Sequence, residues 1–217
     1  MITVTTFKWV PDFARGLVRD MRVRWALEEA GLDYAEHLID FEDKQTPSYR
    51  RKQPFGQVPV YEDGEATLFE SGGILHHIAS RHDALMPDDP LARAETTSWM
   101  FAALNSIEPY IQNLAEIDLF HADDDWAKAR RPEAEAAVRL RLGELSAQLQ
   151  GRDWLAGGRF TVADLMMSMV LEILRHTDIL ADYPVLKAYR DRCFARPAYG
   201  RALERHMAVY EGVPEPA

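Results

Sequence analysis

The chain has 217 residues, of which 47% are hydrophobic and 28% are charged, and its formal net charge is -10 at pH 7. This balance excludes a disordered chain and is typical of a globular protein, whose length here allows one large domain or two modest ones, with two favoured. The negative charge, with no dense run of Lys and Arg to offset it, excludes nucleic acid and anionic membranes as partners.

The sequence carries no basic and apolar leader before the alternating segment 2–7, and no apolar run long enough to cross a membrane. We therefore expect a cytoplasmic protein. Its single cysteine, Cys193, cannot form an intramolecular disulfide and lies in an apolar stretch with helical spacing. A buried structural thiol is the favoured interpretation, and a nucleophile is the alternative.

The first elements alternate between strand and helix. Residues 2–7 alternate as in a strand, and helical spacing follows from Leu17 to Gly31, a glycine placed to end the helix. Residues 34–39 predict a second strand, and the polar segment 46–52 predicts a short or irregular helix.

A hairpin and a helix complete this part of the chain. Residues 58–61 and 66–69 predict two strands joined by the turn Asp63-Gly64, and an amphipathic helix follows from Ser71 to His82. The order β-α-β-α-β-β-α predicts an α+β domain over residues 1–82.

The remaining elements are helical. Residues 83–90 contain two prolines and three aspartates, a composition typical of an exposed linker, and 91–217 predict an all-α domain. A long apolar face runs through 100–114, where Pro109 is expected to bend or split the helix. Further helices are predicted by four signals in the sequence: the apolar spacing of 134–149, a capping box from Thr161 to Asp164, and the prolines Pro184 and Pro197.

A proline just inside a strand marks the first candidate for a binding site. Pro59 cannot donate to a sheet ladder, so the neighbouring backbone is predicted to be an edge left open. If the Val58–Pro59 bond is cis, the N–H and C=O groups of Val58 would be presented to an extended peptide ligand. The alternative is a trans proline at the start of a strand.

The second candidate lies where a strand gives way to a helix. Ser71 is a good helix cap, and the first N–H groups of a helix attract a carboxylate because they are unsatisfied and lie at the positive end of the dipole. Glu70 beside them would attract an ammonium group. The two together suit the α-amino and α-carboxylate groups of a free amino-acid terminus, whereas the alternative is a capping serine beside an incidental glutamate.

These motifs have the form of a known family. Residues 53–59 read Gln-Pro-Phe-Gly-Gln-Val-Pro, residues 68–71 read Leu-Phe-Glu-Ser, and residues 22–31 read Arg-Val-Arg-Trp-Ala-Leu-Glu-Glu-Ala-Gly. With Phe-Thr-Val-Ala-Asp at 160–164, they make the chain similar to cytosolic glutathione S-transferases over nearly its whole length. The resemblance implies a thioredoxin-like N-terminal domain, an all-α C-terminal bundle, a homodimer, and glutathione as a substrate attacking a small, apolar electrophile.

The resemblance also implies roles for particular residues. Pro59 becomes the cis-proline of the family, Val58 pairs with the cysteinyl backbone of glutathione, and Glu70 and Ser71 hold the γ-glutamyl end. The glycine carboxylate is assigned to two further side chains, Gln57 and Lys52.

The chain departs from the family at the catalytic position. Family members place a Tyr, Ser or Cys near the end of the first strand, and residues 1–33 contain none of these. Trp9 falls near the tyrosine position, and Phe13 or Ala14 falls near the serine or cysteine position. Arg15 is the candidate substitute, because a guanidinium near the sulfur would stabilise a thiolate. A solvated arginine on a charged helix is the alternative.

An apolar co-substrate pocket is the remaining prediction. Trp9 and Phe13 would form one wall of it, or would simply pack in the core. The helical domain would complete the pocket with three side chains: Trp99, Met100 and Tyr110. The adjacent pair His76 and His77 lacks the spacing of a metal site, so no metal is expected. An enzyme is the favoured function, and a non-catalytic glutathione-binding or protein-interaction module is the alternative.

Overall fold

The computed structural model describes residues 1–213, and its contacts divide the chain into two compact units. The first unit consists of Met1–Met86 together with the segment that begins at Arg196, and the second consists of Pro87–Ala195.

This division differs from the predicted one at the end of the chain. The sequence placed all of 91–217 in one helical domain, after a linker at 83–90. The structure instead groups the segment from Arg196 with the N-terminal residues. Residues 214–217 of the predicted helical domain lie outside the described residues.

The first unit is built around a four-stranded mixed sheet with helices beside it. Its elements up to Met86 are β1 (Ile2–Phe7), α1 (Asp20–Ala30), β2 (Tyr34–Ile39), α2 (Pro47–Arg50), β3 (Val60–Glu62), β4 (Thr67–Phe69) and α3 (Ser71–Ala79). The strand order is β2-β1-β3-β4, in which β2 runs parallel to β1 while β3 pairs antiparallel with both β1 and β4. The predicted β-α-β-α-β-β-α order is confirmed.

The start of α1 lies later than the helical spacing from Leu17 predicted. A short 3-10 helix at Asp12–Ala14 and Gly16 with φ 80° keep the chain irregular until Asp20. Gly31 ends the helix as predicted, since its φ of 67° is in the left-handed region that glycine adopts without a steric penalty.

The second unit is helical, as predicted. Its α-helices are α4 (Pro90–Ala102), α5 (Glu108–Phe120), α6 (Asp125–Leu149), α7 (Val162–Glu172) and α8 (Pro184–Phe194). The predicted split near Pro109 is confirmed: a π-helical segment at Ala103–Ile107 separates α4 from α5, and Pro109 lies in the first turn of α5, where no N–H group is needed.

The predicted start of α6 near residue 134 is wrong. The helix begins at Asp125 and continues through Pro132, which the sequence pattern treats as a helix breaker. The residue before this proline ties the helix to its surroundings: the guanidinium of Arg131 binds Asp118 of α5 at 2.7 and 3.1 Å and Glu135 of the next turn at 2.8 Å.

Helix α7 forms the centre of the second unit, with residues 162–171 all buried. The predicted capping box at its start is confirmed, with Thr161 N–H donating to Asp164 at 2.8 Å. The carboxylate of Asp164 also accepts hydrogen bonds from the N–H group of Leu155 at 2.9 Å and the hydroxyl of Tyr189 at 3.0 Å. One buried side chain therefore joins α7, α8 and the loop before α7.

The last helix, α9 (Pro197–Ala208), belongs to the first unit and packs against α1. Arg196 binds Glu29 at 2.6 and 2.8 Å, and the rings of Tyr199 and Trp25 meet edge to face with centroids 4.9 Å apart. The predicted helix start at Pro197 is confirmed. Among the helices described, none is long and apolar enough to cross a membrane.

Candidate active site

The sheet brings the predicted binding residues to one of its ends. Strand β3 pairs antiparallel with β1 through Val4 and Tyr61, so continuing this register places Pro59 beside Thr6, near the end of β1. Strand β4 pairs with β3 through Val60 and Phe69, so the next residues along the chain, Glu70 and Ser71, lie at the same end of the sheet. The loop that leads into α1 starts from this end as well.

The segment before β3 has the geometry that the resemblance implied. The Val58–Pro59 bond is cis, as predicted, and Val58 packs in a small core cluster with Ile39, Tyr49 and Val60. The hydroxyl of Tyr49 donates a hydrogen bond of 2.6 Å to the backbone oxygen of Gln57. Core packing of Val58 and the hydrogen bond from Tyr49 to Gln57 therefore hold the backbone of this segment in place.

Glu70 has an unusual backbone conformation. Its φ of 65° and ψ of 116° make it the one non-glycine residue with positive φ among residues 1–213. Such a conformation costs free energy and is found at functional sites more often than elsewhere. Glu70 caps α3 through its backbone oxygen, which accepts from Ile74 N–H at 2.9 Å, while its exposed carboxylate makes no cap hydrogen bond.

The start of α3 is therefore open to an anion. Ser71, the first residue of α3, is 4% exposed, and its hydroxyl accepts a hydrogen bond of 3.4 Å from Arg22 on α1. Among residues 1–213 no side chain caps this end of the helix, so its first N–H groups and the positive end of its dipole can interact with a carboxylate. Sequence reasoning missed Arg22 because its contact with Ser71 joins residues far apart in the chain.

The two residues assigned to a glycine carboxylate have different surroundings. Gln57 is exposed next to Val58. The ammonium of Lys52 is bound to Glu62 at 2.9 Å, at the far end of β3 from Pro59. Lys52 also lines a cavity of about 270 Å³, together with Thr5 and Tyr49. The assignment of Gln57 and Lys52 to the glycine carboxylate stays a prediction.

The loop after β1 holds the predicted catalytic candidates. The guanidinium of Arg15 binds Asp12 at 2.9 Å and lies 5.5 Å from the ring centre of Tyr210, which follows α9. Trp9 is half-buried and meets the ring of Phe41 at 6.4 Å, whereas Phe13 is 40% exposed. The roles predicted for Arg15, Trp9 and Phe13 remain hypotheses.

Tyr210 is a residue that sequence reasoning missed. It is 3% exposed, and its phenol lies by the hydroxyl of Thr6 at the end of β1. Burial raises the pKa of Tyr210 above its ordinary value. No local pattern could have identified it, since it reaches this end of the sheet only through the packing of α9.

A buried ionic cluster supports the start of α1. The carboxylate of Asp20 binds Arg24 at 2.7 Å and lies 3.3 Å from Nδ1 of His206 on α9, and all three side chains are fully buried. Arg24 also binds Glu36 of β2 at 2.8 Å. The spacing of Asp20 and Arg24 on one helix face is visible in the sequence, whereas the part played by His206 is not.

The three side chains predicted to line a co-substrate pocket lie in the second unit. Met100 is 4% exposed and belongs to the core of that unit, whereas Trp99 is half-buried. The hydroxyl of Tyr110 accepts a hydrogen bond of 3.0 Å from Arg141, whose guanidinium lies 4.8 Å from the centre of the tyrosine ring. Of the three, Trp99 and Tyr110 keep partly exposed surface.

Neither a metal site nor a reactive thiol is found in the described part of the chain. No group of three or more His, Cys, Asp and Glu side chains there could hold a metal ion. Cys193 is fully buried, as predicted, and burial raises the pKa of its thiol well above the ordinary value. A thiol in this environment is a poor nucleophile.

Comparison with known proteins agrees with this geometry. Residues 13–80 match the family model described as the N-terminal domain of glutathione S-transferase, and residues 110–197 match the model of its C-terminal domain. A glutathione S-transferase of Hyoscyamus muticus is 30% identical over 198 residues, which cover 85% of this chain and 92% of the relative.

Two further relatives extend the comparison. The disulfide-bond oxidoreductase YfcG of Escherichia coli is 28% identical over 187 residues, covering 82% of this chain and 86% of that protein. A glutathione transferase from Burkholderia graminis, solved with two glutathione molecules per subunit, superposes with a TM-score of 0.82 at 26% identity, covering 94% of this chain and 87% of that one. By its sequence and its fold, this chain belongs to the glutathione S-transferase family.

Proposed function

We propose that this glutathione S-transferase-like enzyme binds glutathione at one end of the sheet, where Val58, Glu70 and Ser71 form the binding site. The enzyme then promotes attack of the thiolate on a small, apolar electrophile. The observation that carries the proposal is the turn at Glu70, whose positive φ places a carboxylate beside the open start of α3. We place the protein in the cytoplasm, which suits a chain whose one cysteine is buried and forms no disulfide.

The turn matches the two charges at the γ-glutamyl end of glutathione. The α-carboxylate suits the first N–H groups of α3 and the hydroxyl of Ser71, and the α-ammonium suits the carboxylate of Glu70. The backbone of Val58 then pairs with the cysteinyl residue of the extended peptide. Solved relatives from Burkholderia graminis and Pseudomonas fluorescens, each with two glutathione molecules bound, support glutathione as the ligand.

We expect Glu70→Gln to weaken glutathione binding about tenfold or more, because a charge-assisted contact contributes about 1.5–3 kcal/mol. The change in tryptophan fluorescence on titration with glutathione measures the affinity. Glu65→Gln, an equal loss of charge on the exposed hairpin turn, should bind as the unmodified protein does. Unchanged affinity in a folded Glu70→Gln variant would contradict the proposed site.

The thiol requires an activating group other than the side chain of a Tyr, Ser or Cys in residues 1–33. The candidates are the guanidinium of Arg15 and the backbone N–H groups of the loop 11–16. Arg15 lies in the loop after β1, and a cation stabilises a thiolate by charge, whereas a hydroxyl does so by one hydrogen bond.

We expect Arg15→Ala to raise the pKa of bound glutathione, and Thr5→Val and Thr6→Val to leave it nearly unchanged. Thiolate absorbance followed against pH measures the pKa, and each unit corresponds to about 1.4 kcal/mol. A rise in a threonine variant without one in Arg15→Ala would assign activation to the strand hydroxyl. Bound glutathione that keeps its solution pKa in the unmodified protein would favour a non-catalytic glutathione-binding module.

A homodimer is the proposed assembly, and exposed aromatic side chains support it. Phe55 is 64% exposed and Phe69 is 38% exposed, and their ring centroids lie 6.2 Å apart on the surface of the first unit. Exposed apolar patches of this kind are typical of association surfaces.

We expect Phe55→Asp to convert the dimer to a monomer, because a charge in the contact would be desolvated on association. Sedimentation velocity at micromolar concentration measures the mass. Phe120→Asp, which places the same charge at an exposed phenylalanine of the second unit, should leave the dimer intact. A single species of monomer mass in the unmodified protein would rule out the assembly.

A further inference from the structure

A buried arginine lies directly behind the serine of the proposed site. Arg22 on α1 is 2% exposed, and its Nη1 atom lies 3.4 Å from Oγ of Ser71. A guanidinium can only donate hydrogen bonds, so the serine oxygen is the acceptor in this contact. The hydroxyl hydrogen of Ser71 is then directed away from Arg22.

The direction of this hydrogen matters for the ligand. A serine hydroxyl at the start of a helix can either accept a hydrogen bond or donate one. A carboxylate has only acceptor oxygens, so it needs the hydroxyl as a donor. Arg22 occupies acceptor capacity of the oxygen, and this favours donation toward the open start of α3.

We propose that Arg22 is a positioning residue that holds the Ser71 hydroxyl as a donor and thereby makes the site selective for the α-carboxylate of the γ-glutamyl group. The inference rests on the proposed binding of glutathione at this turn. Arg22 is 2% exposed and its Nη1 atom contacts the hydroxyl of Ser71, the first residue of α3, so its effect on a carboxylate at this helix start passes through the serine.

The test compares two ligands that differ by one group. Glutathione carries the α-carboxylate, whereas γ-aminobutyryl-cysteinyl-glycine keeps the amino group and lacks that carboxylate. Their dissociation constants are measured by isothermal titration calorimetry for the unmodified protein, Arg22→Gln, Ser71→Ala and the double variant. Circular dichroism and the melting temperature identify the variants that remain folded.

We expect Arg22→Gln to weaken glutathione binding about tenfold and to change binding of the shorter analogue by less than about twofold. In the Ser71→Ala background the same change should cost less than about threefold, since the two residues act as one unit. If Arg22→Gln does not fold, Arg22→Lys serves in its place, because it keeps a buried cation on a less extended side chain. That variant should lose about two- to fivefold for glutathione alone.

Other results would overturn the inference. A loss of equal size for both ligands would mean that Arg22 acts only through general stability of the fold. An undiminished loss in the Ser71→Ala background would mean that it does not act through the serine. These results leave the proposed function standing, whereas failure of the unmodified protein to bind glutathione would overturn the proposed function and this inference with it.

Discussion

Asp20→Asn should lower the free energy of unfolding by about 3 kcal/mol or more, because breaking a buried ion pair leaves the partner charge uncompensated. Asp20 and Arg24 are fully buried and meet at 2.7 Å, and His206 lies against the same carboxylate. The neutral amide cannot balance the guanidinium of Arg24, whose other acidic partner in the described part of the chain is Glu36 at 2.8 Å. Equilibrium unfolding in urea, followed by tryptophan fluorescence, measures the change.

The pKa of Asp20 also determines how the stability of the fold should depend on pH. Burial by itself would raise the pKa of Asp20, but the hydrogen bond and charge of His206 and the charge of Arg24 outweigh it, so the pKa lies below its ordinary value of 3.8. A carboxyl whose pKa is lower in the folded state stabilises the protein above its unfolded pKa, and this stabilisation is lost as pH falls through the folded pKa. The difference in stability between the unmodified protein and Asp20→Asn should therefore be complete above about pH 4 and shrink below it.

A matched control separates burial from loss of charge. Asp40→Asn removes a carboxylate that binds Lys8 at 2.6 Å with both side chains about half exposed, and we expect only a small change in stability from it. Equal effects of Asp20→Asn and Asp40→Asn would contradict the importance of the buried cluster. A difference between Asp20→Asn and the unmodified protein that persists unchanged in acid would contradict the lowered pKa of Asp20.

A second large effect is expected at Asp164, where Asp164→Ala should cost about 3 kcal/mol or more. The substitution leaves buried donors without an acceptor: the N–H groups of Leu155 and Thr161 and the hydroxyl of Tyr189. Each unsatisfied buried donor costs about 1–3 kcal/mol, and the cap of α7 is lost as well. Unfolding in urea, with far-ultraviolet circular dichroism as the signal, measures the loss of helix.

Asp164 stabilises the fold through its hydrogen-bond acceptor oxygens more than through its negative charge. Burial raises the pKa of Asp164, although the hydrogen bonds from Leu155, Thr161 and Tyr189 oppose the rise. Its negative charge is therefore a cost at neutral pH, and Asp164→Asn, which keeps one acceptor oxygen, should be less damaging than Asp164→Ala. Asp123→Ala, at an exposed position before α6, should have little effect. Comparable losses at Asp123 and Asp164 would refute this account of α7.

The sequence by itself determined the elements whose signals are local. The bounds of β2, the end of α1 at Gly31, the break near Pro109 and the capping box at Thr161 all follow from spacing or from backbone chemistry within a few residues. The cis bond before Pro59 was predicted from the resemblance of the surrounding motif to the family. Apolar spacing alone failed at α6, because it showed only the part from residue 134 of a helix that begins at Asp125.

Only the tertiary structure decided which distant residues support the site. The contacts of Arg22 with Ser71, of His206 with Asp20 and of Arg15 with Tyr210 join side chains on separate elements. Periodicity shows which face of a helix is buried, but it does not show which other element covers that face. The placement of α9 against α1 depends on long-range packing and ion pairs. For this reason the sequence could not show that the segment from Arg196 belongs to the first unit.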